Sequence, residues 1–222
     1  ITIPVSVLVP PATFGLPSSG HLEIVTCTIS SPDGEGPSET IQASLVVEES
    51  RDFTTRLSDA DGNELAPIAA SDDRPVLNMV REDTLLEIYN RGNIDMQMSV
   101  TIRLSDSTWG LEAILNPEST NPFPITVLDG GASIEVSIEA GSMISILATS
   151  IAPPTASMGD RALLTFRTTE GQQLTVIDSS RFILQPRLEI SLQAPESLEI
   201  LAGEFAEFSI DLSNQGNVRL DL

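Results

Sequence analysis

Asp59, Asp61 and Asn63 occupy alternate positions in the run Asp59-Ala60-Asp61-Gly62-Asn63-Glu64. Side-chain oxygens at alternate positions are what a calcium loop offers, because a hard dication is held by several oxygen ligands. Asp72 and Asp73 follow nearby, but the twelfth position of the loop, where an EF-hand carries a bidentate Glu, is Ala70. The same residues also read as a hairpin, since Asp-Gly flanked by Leu57 and Leu65 is a strong turn signal. The hairpin is the favoured reading. Calcium at Asp59, Asp61 and Asn63 is the one cofactor expectation the sequence raises.

Other chemistry finds no material. His21 is the single histidine and Cys27 the single cysteine. A nucleophile–imidazole pair would have to use His21, which follows the turn-like Pro17-Ser18-Ser19-Gly20 and reads as a surface turn residue. One His and one Cys cannot complete a structural zinc site. Cys27 has no spaced basic neighbour to lower its pKa, and its apolar run predicts a buried hydrophobe. Gly34-Glu35-Gly36 and Gly130-Gly131 lack the strand-to-helix setting and the Lys of a phosphate loop. Acids fall mostly in turns or at alternate strand positions, where solvation is the default. No enzyme is expected.

The elements that would carry these residues are strands. The chain has 222 residues, 41% hydrophobic but only 4% aromatic, so its core is built from Ile, Leu, Val and Ala. Ile134, Val136 and Ile138 alternate with Glu135, Ser137 and Glu139, which predicts one buried and one wet face. Similar short segments fill the chain, and no stretch keeps a helical period beyond two turns. Among the strand candidates are 53–57, 65–69, 84–89, 94–104, 125–128 and 174–177. No stretch approaches the roughly 20 apolar residues of a spanning helix.

Charge excludes further classes. The 32 acidic residues outnumber the 11 basic ones, all Arg, for a net charge of −21. Such a surface repels phosphate backbones and anionic lipid heads, so nucleic acid and membrane-surface partners are not expected. Solubility and tolerance of a saline exterior are what it favours.

Two internal repeats organise the chain. Asn90-Arg91-Gly92-Asn93 recurs as Asn214-Gln215-Gly216-Asn217, a spacing of 214 − 90 = 124 residues. Apolar residues alternate on both sides, and Gly and Asn tolerate positive φ, so strand, tight hairpin turn and strand are predicted. Pro10-Pro11 recurs as Pro153-Pro154, each after one apolar strand and before another, marking strand ends. The order of the motifs predicts an all-β chain of tandem immunoglobulin-like antiparallel β-sandwiches, one complete domain flanked by two partial ones. Residues 1–49 would be the C-terminal part of one, 50–185 a complete domain, and 186–222 the N-terminal part of a third, joined by short linkers.

With its Asn-Arg-Gly-Asn turn, Trp109-Gly110-Leu111, Asp129-Gly130-Gly131 and Pro153-Pro154…Gly159-Asp160, the middle stretch resembles the immunoglobulin-like modules of archaeal and bacterial surface proteins. The nearest types are those associated with carbohydrate-binding modules (NPCBM-associated) and CARDB-like adhesion modules. The resemblance implies sandwiches in tandem on stalks, filaments or surface layers, and brings no catalytic residues. The segment from Arg56 to Arg74 departs from it in being longer. The expected function is structural: an extracellular or cell-surface segment acting by spacing and self-association, with exposed edge strands as a route to chain-to-chain pairing. A glycan- or protein-binding adhesion module is the alternative. Trp109 is expected in the core, not as a sugar platform.

Overall fold

The computed structural model describes residues 6, 20, 22–29, 38–65, 73–171, 174–196, 205 and 207–219. His21, Asp72 and most of the strand expected at 65–69 lie outside them. Every regular element among the described residues is a strand. The alternation of apolar and polar residues accounts for this, since one face of each segment is then committed to a core.

Eleven strands form two stacked sheets, an immunoglobulin-like β-sandwich. They are β3 (Phe53–Asp59), β4 (Arg74–Val76), β5 (Arg81–Asn90), β6 (Met96–Leu104), β7 (Gly110–Leu115), β8 (Phe123–Ile125), β9 (Val127–Leu128), β10 (Gly131–Ile138), β11 (Met143–Ile151), β12 (Arg161–Glu170) and β13 (Leu174–Leu184). One sheet runs β4-β13-β12-β6-β10-β9 and the other β3-β5-β11-β7-β8. Between them lies a single core. Leu86, Ile88, Val100, Ile102, Ile146, Leu164, Phe166 and Phe182 have no exposed surface at all. Burying side chains of this size stabilises by about 1.5–3 kcal/mol each. Trp109 is buried with them, stacked on Phe182 with ring centroids 6.1 Å apart.

Two shorter sheets flank the sandwich in sequence. Before it, β1 (Leu22–Ile29) pairs with β2 (Glu39–Val46), and after it β14 (Ile190–Gln193) pairs with β15 (Asp211–Asn214). Both repeat pieces of the sandwich in register. Leu22 faces Val46 as Arg161 faces Ile183, and Ile190 faces Asn214 as Phe53 faces Asn90. Cys27 is only half-buried, contrary to the sequence expectation, because β1 pairs with β2 alone among the described residues.

Several strand expectations are corrected. The stretch 125–128 is not one strand: β8 pairs with β7 in one sheet and β9 with β10 in the other, so the chain changes sheets at Thr126. Pro124 cannot donate to a ladder on both sides and confines β8 to an edge. The sheet pattern is not wholly antiparallel either, because β4 lies parallel to β13. β4 is too short to alternate visibly. Its Arg74 is held by hydrogen bonds to Thr84 Oγ1 (2.9 Å) and Ser180 Oγ (3.3 Å), with its guanidinium 5.1 Å from the Phe182 ring centroid.

The edges of the sandwich are blunted. β4 has three residues with Pro75 at its centre, β8 has three with Pro124, and β9 has two. Beside β3, the chain folds back to form a Ser58–Glu64 bridge and a Leu65 N to Leu57 O hydrogen bond of 2.8 Å. Short, proline-bearing or covered edges discourage further strand pairing.

Candidate functional site

The residues expected to hold calcium form a closed turn. Asp59 Oδ1 accepts the backbone N–H groups of Asp61 (3.0 Å) and Asn63 (2.9 Å), while Oδ2 accepts Asn63 Nδ2 at 3.0 Å. Those bonds, led by the Asn63 side chain, hold the Asp59 carboxyl below its ordinary pKa. Gly62 supplies the left-handed residue at φ 82°. Both carboxylate oxygens thus serve the turn, and Asp61 and Asn63 are exposed. Among the described residues no three His, Cys, Asp or Glu side chains come together as a metal cage.

The arrangement with a repeated geometry is a pair of clasps at Asn93 and Asn217. Each asparagine closes on the stretch that leads into its own strand pair. Asn93 Nδ2 donates to Glu48 O (2.8 Å), its Oδ1 accepts Ser50 N–H (2.7 Å), and its backbone N–H donates to Ser50 O (3.0 Å). Asn217 Nδ2 donates to Gln185 O (2.8 Å), its Oδ1 accepts Arg187 N–H (2.6 Å), and its N–H donates to Arg187 O (3.0 Å). Arg91 N–H and Gln215 N–H complete the match by donating to Asp52 O and Glu189 O, each at 2.8 Å. A side-chain amide offers one acceptor and two donors, so a single Asn can hold a strand-like stretch by both its N–H and its C=O.

Inside each turn the first Asn does different work. Gly92 N–H and Gly216 N–H donate to Asn90 Oδ1 and Asn214 Oδ1, both at 2.9 Å. Asn90 Nδ2 donates to Ile94 O (2.8 Å) and to Ile138 O (2.9 Å), tying the turn to the end of β10. Asn214 Nδ2 donates to Val218 O at 2.7 Å. The two motifs therefore share their hydrogen bonds as well as their letters.

Two sequence expectations about these motifs are overturned. The segment after β5 is not a hairpin turn, because β5 and β6 belong to different sheets. It is an arch that carries the chain across the sandwich. Nor is its glycine needed for positive φ: Gly92 and Gly216 are outside the left-handed set. A Cβ at Gly92 would strike Ser50 O, and one at Gly216 would strike Arg187 O, deep inside van der Waals contact. Glycine is there for close backbone approach.

The two sequence repeats also meet. Asn217 Nδ2 donates to Asn78 Oδ1 at 2.7 Å, and Asn78 is almost fully buried. Asn78 Nδ2 in turn donates to Ala156 O (3.1 Å) and Pro153 O (3.4 Å) in the loop after the Pro153-Pro154 motif. From the same loop Met158 N–H donates to Asn217 O (3.3 Å), and Gly159 N–H to Leu184 O (3.0 Å). The bond from Gly20 N–H to Val47 O (2.9 Å) repeats the last of these before the first clasp. Arg51 adds an ion pair there, with Nη1 2.7 Å from Glu170 Oε1 on β12. Asn78 escaped sequence reasoning, since a lone polar residue between Leu77 and Met79 looks like a loop. Its signal is visible only as burial.

Fold and joints together define an all-β protein in which a mostly antiparallel immunoglobulin-like sandwich is joined by clasped connections to strand pairs before and after it. No protein-family model matches the chain, and no curated protein matches it. Solved structures with a similar course include BcpA, the major pilin subunit of Bacillus cereus. It is 9% identical at TM-score 0.40, over 87% of this chain and 63% of that one. A family 123 glycoside hydrolase from Clostridium perfringens is 9% identical at TM-score 0.39, over 60% of this chain and 27% of that one. Spo0M, a sporulation control protein from Bacillus subtilis, is 8% identical at TM-score 0.35, over 60% and 49%. The chain spans less than two thirds of each of these proteins. Likeness at this level transfers none of their functions.

Proposed function

We propose that this chain is a non-enzymatic structural segment of an extracellular or cell-surface array, of the stalk, filament or surface-layer kind. It acts by spacing and self-association. Residues 1–49, 50–185 and 186–222 are read as successive immunoglobulin-like modules. The observation that carries the reading is the recurrence of one hydrogen-bonded clasp, at Asn93 on residues 48–50 and at Asn217 on residues 185–187.

A linker held at both its N–H and C=O groups by the following unit has little freedom to swing. Units joined in this way keep a set spacing, which a flexible tether would not. The network from the Pro153-Pro154 loop through Asn78 to Asn217 adds an anchor on the preceding unit. The acidic coat, −21 with Arg as its sole cation, suits a saline exterior. The resemblance to tandem surface modules agrees with this reading.

The test is joint stiffness. Small-angle scattering and amide exchange on the chain, compared with Asn217→Ala, should show slow exchange at Arg187 and Asn217 in the parent and fast exchange in the variant. Equal and rapid exchange in both would refute the spacer reading.

A further inference from the structure

Self-association of a strongly acidic chain needs a place where its own charge does not oppose it. The outward face of the six-stranded sheet gathers four of its arginines. Inward residues Ile102, Leu104, Ala162, Phe166 and Phe182 are buried, so the residues between them point out. Arg103 on β6 lies opposite Thr165 on β12, and Arg167 lies opposite Thr101, which sets the two arginines as diagonal neighbours. Arg161 on β12 and Arg181 on β13 belong to the same face. Four of the chain's 11 basic residues are thus gathered on one side of one sheet.

Two of the four are spoken for. Arg161 and Arg181 both pair with Asp73, at 2.9 and 3.1 Å. Arg103 and Arg167 have no ion pair or side-chain hydrogen bond among the described residues, and both are exposed. In a chain with 32 acids, two adjacent unpaired arginines stand out, since a nearby carboxylate is the easiest thing for this surface to supply. Glu135, opposite Ser99 on the far side of β6, is the one acid among the face's strand residues. Counting Asp73, Glu135 and Asp129, which lines the same surface concavity as Arg103, the face carries +1 and the remainder of the chain −21 − (+1) = −22.

We propose that the Arg103–Arg167 face docks the acidic surface of a second copy of this chain. The proposal rests on the array reading above and names its lateral contact. Guanidinium groups bind carboxylates through two parallel hydrogen bonds, and both arginines are exposed on this face. The face cannot meet itself, because that would oppose its cations to one another. The contact is therefore heterologous: one copy gives the arginine face and the next gives acids from elsewhere. Heterologous contacts propagate into rows or fibres unless a rotation closes them. Edge-to-edge strand pairing, the route the sequence suggests, is discouraged by Pro75, Pro124 and the covered β3 edge.

Sedimentation velocity on the full chain over a concentration series, at about 20 mM and about 500 mM NaCl, tests this, because the Debye length shortens several-fold across that range. At low salt the mean sedimentation coefficient should rise with concentration without stopping at a dimer, and at high salt it should fall to the monomer value. The Arg103→Glu/Arg167→Glu variant should need at least tenfold more protein to associate, and Arg103→Lys/Arg167→Lys should retain part of the effect. Circular dichroism melts establish that the variants fold; if the Glu pair does not, Arg103→Gln/Arg167→Gln replaces it. A monomer at low salt throughout, a plateau at a closed dimer, or unchanged association in the folded variant overturns the proposal. Added polyglutamate should compete for the face; indifference to it also overturns the proposal. Slow exchange at Arg187 and Asn217 in a monomeric chain would remove this face and leave the spacer reading standing.

Discussion

Asn217, 139 residues beyond Asn78 in the chain, donates a side-chain N–H to the Asn78 side-chain oxygen at 2.7 Å. Asn78 is 6% exposed, so that oxygen cannot turn to water. The pair joins the turn after β15 to the loop before β5.

Asn217→Ala should therefore cost more than an exposed Asn deletion. It leaves a buried acceptor unsatisfied, a penalty of about 1–3 kcal/mol. Asn78→Ala removes the same bond from the other side. A double-mutant cycle by urea unfolding should return a coupling energy of roughly 0.5–3 kcal/mol between the two sites. Additive effects would show that the bond does not form in solution.

Asn90→Ala should be among the most damaging single changes in the sandwich. Asn90 is 1% exposed and its side chain joins Gly92 N–H, Ile94 O and Ile138 O. Stranding these groups should cost roughly 3 kcal/mol. The melting temperature should fall by about 6–12 °C for a unit of this size. A drop of only a degree or two, seen by calorimetry, contradicts the assignment of Asn90 as the anchor of the arch.

Gly92→Ala and Gly62→Ala separate two uses of glycine. At Gly62 an added Cβ meets open space and only the φ of 82° objects, which costs about 1–2 kcal/mol. At Gly92 φ is unobjectionable, but the Cβ collides with Ser50 O. Backbone must move there, so Gly92→Ala should destabilise clearly more than Gly62→Ala in parallel denaturant titrations. The reverse order would mean the clasp can open cheaply.

Asp178→Asn should stabilise the sandwich at neutral pH. Burial raises the Asp178 carboxyl pKa above its usual value, partly offset by its hydrogen bond to Thr55, and its Oδ2 has no partner. A raised acid binds its proton more tightly in the folded state. Its ionisation thus subtracts stability as pH climbs from the unfolded pKa through the folded one. The variant should melt higher than the parent at pH 7, and the gap should close as pH falls below the ordinary carboxyl range. A gap that stays constant with pH excludes the charge as its cause.

Calcium at Asp59, Asp61 and Asn63 has to compete with the turn. A cation at Asp59 would share a carboxylate that already accepts three hydrogen bonds and would need Asn63 to turn its amide over. Millimolar calcium should leave the melting temperature no higher than magnesium does at the same ionic strength. A calcium-specific rise, absent in Asp59→Asn, would establish the site.

Much of the architecture is written in short-range pattern. Ile134, Val136 and Ile138 announce β10 because a strand's side chains alternate by geometry alone. The recurring Asn-x-Gly-Asn motifs are legible as equivalents without coordinates, whereas Pro10-Pro11, the partner expected for Pro153-Pro154, lies outside the described residues. The strand missed at β4 and the false single strand at 125–128 fail for one reason: a segment of two or three residues has no period to read. The clasps fail differently. Asn93 looks like a turn former, and it is one, but its side-chain partners Glu48 and Ser50 lie more than 40 residues away.

By itself the sequence determined that this is an all-β chain, acidic, with repeated motifs and a core mainly of aliphatic side chains, because alternation, charge and repetition are properties of neighbouring residues. Tertiary structure alone decided that Gly92 makes way for Ser50 O, that β5 and β6 part into different sheets, and that Arg103 and Arg167 stand together without an ion pair among the described residues. The first and last are meetings between residues far apart in the chain, and the parting of β5 and β6 follows from which distant strands each one pairs with. Which distant backbones come close enough to exclude a Cβ or join two sheets depends on how the layers stack, and pattern within a segment carries no record of that.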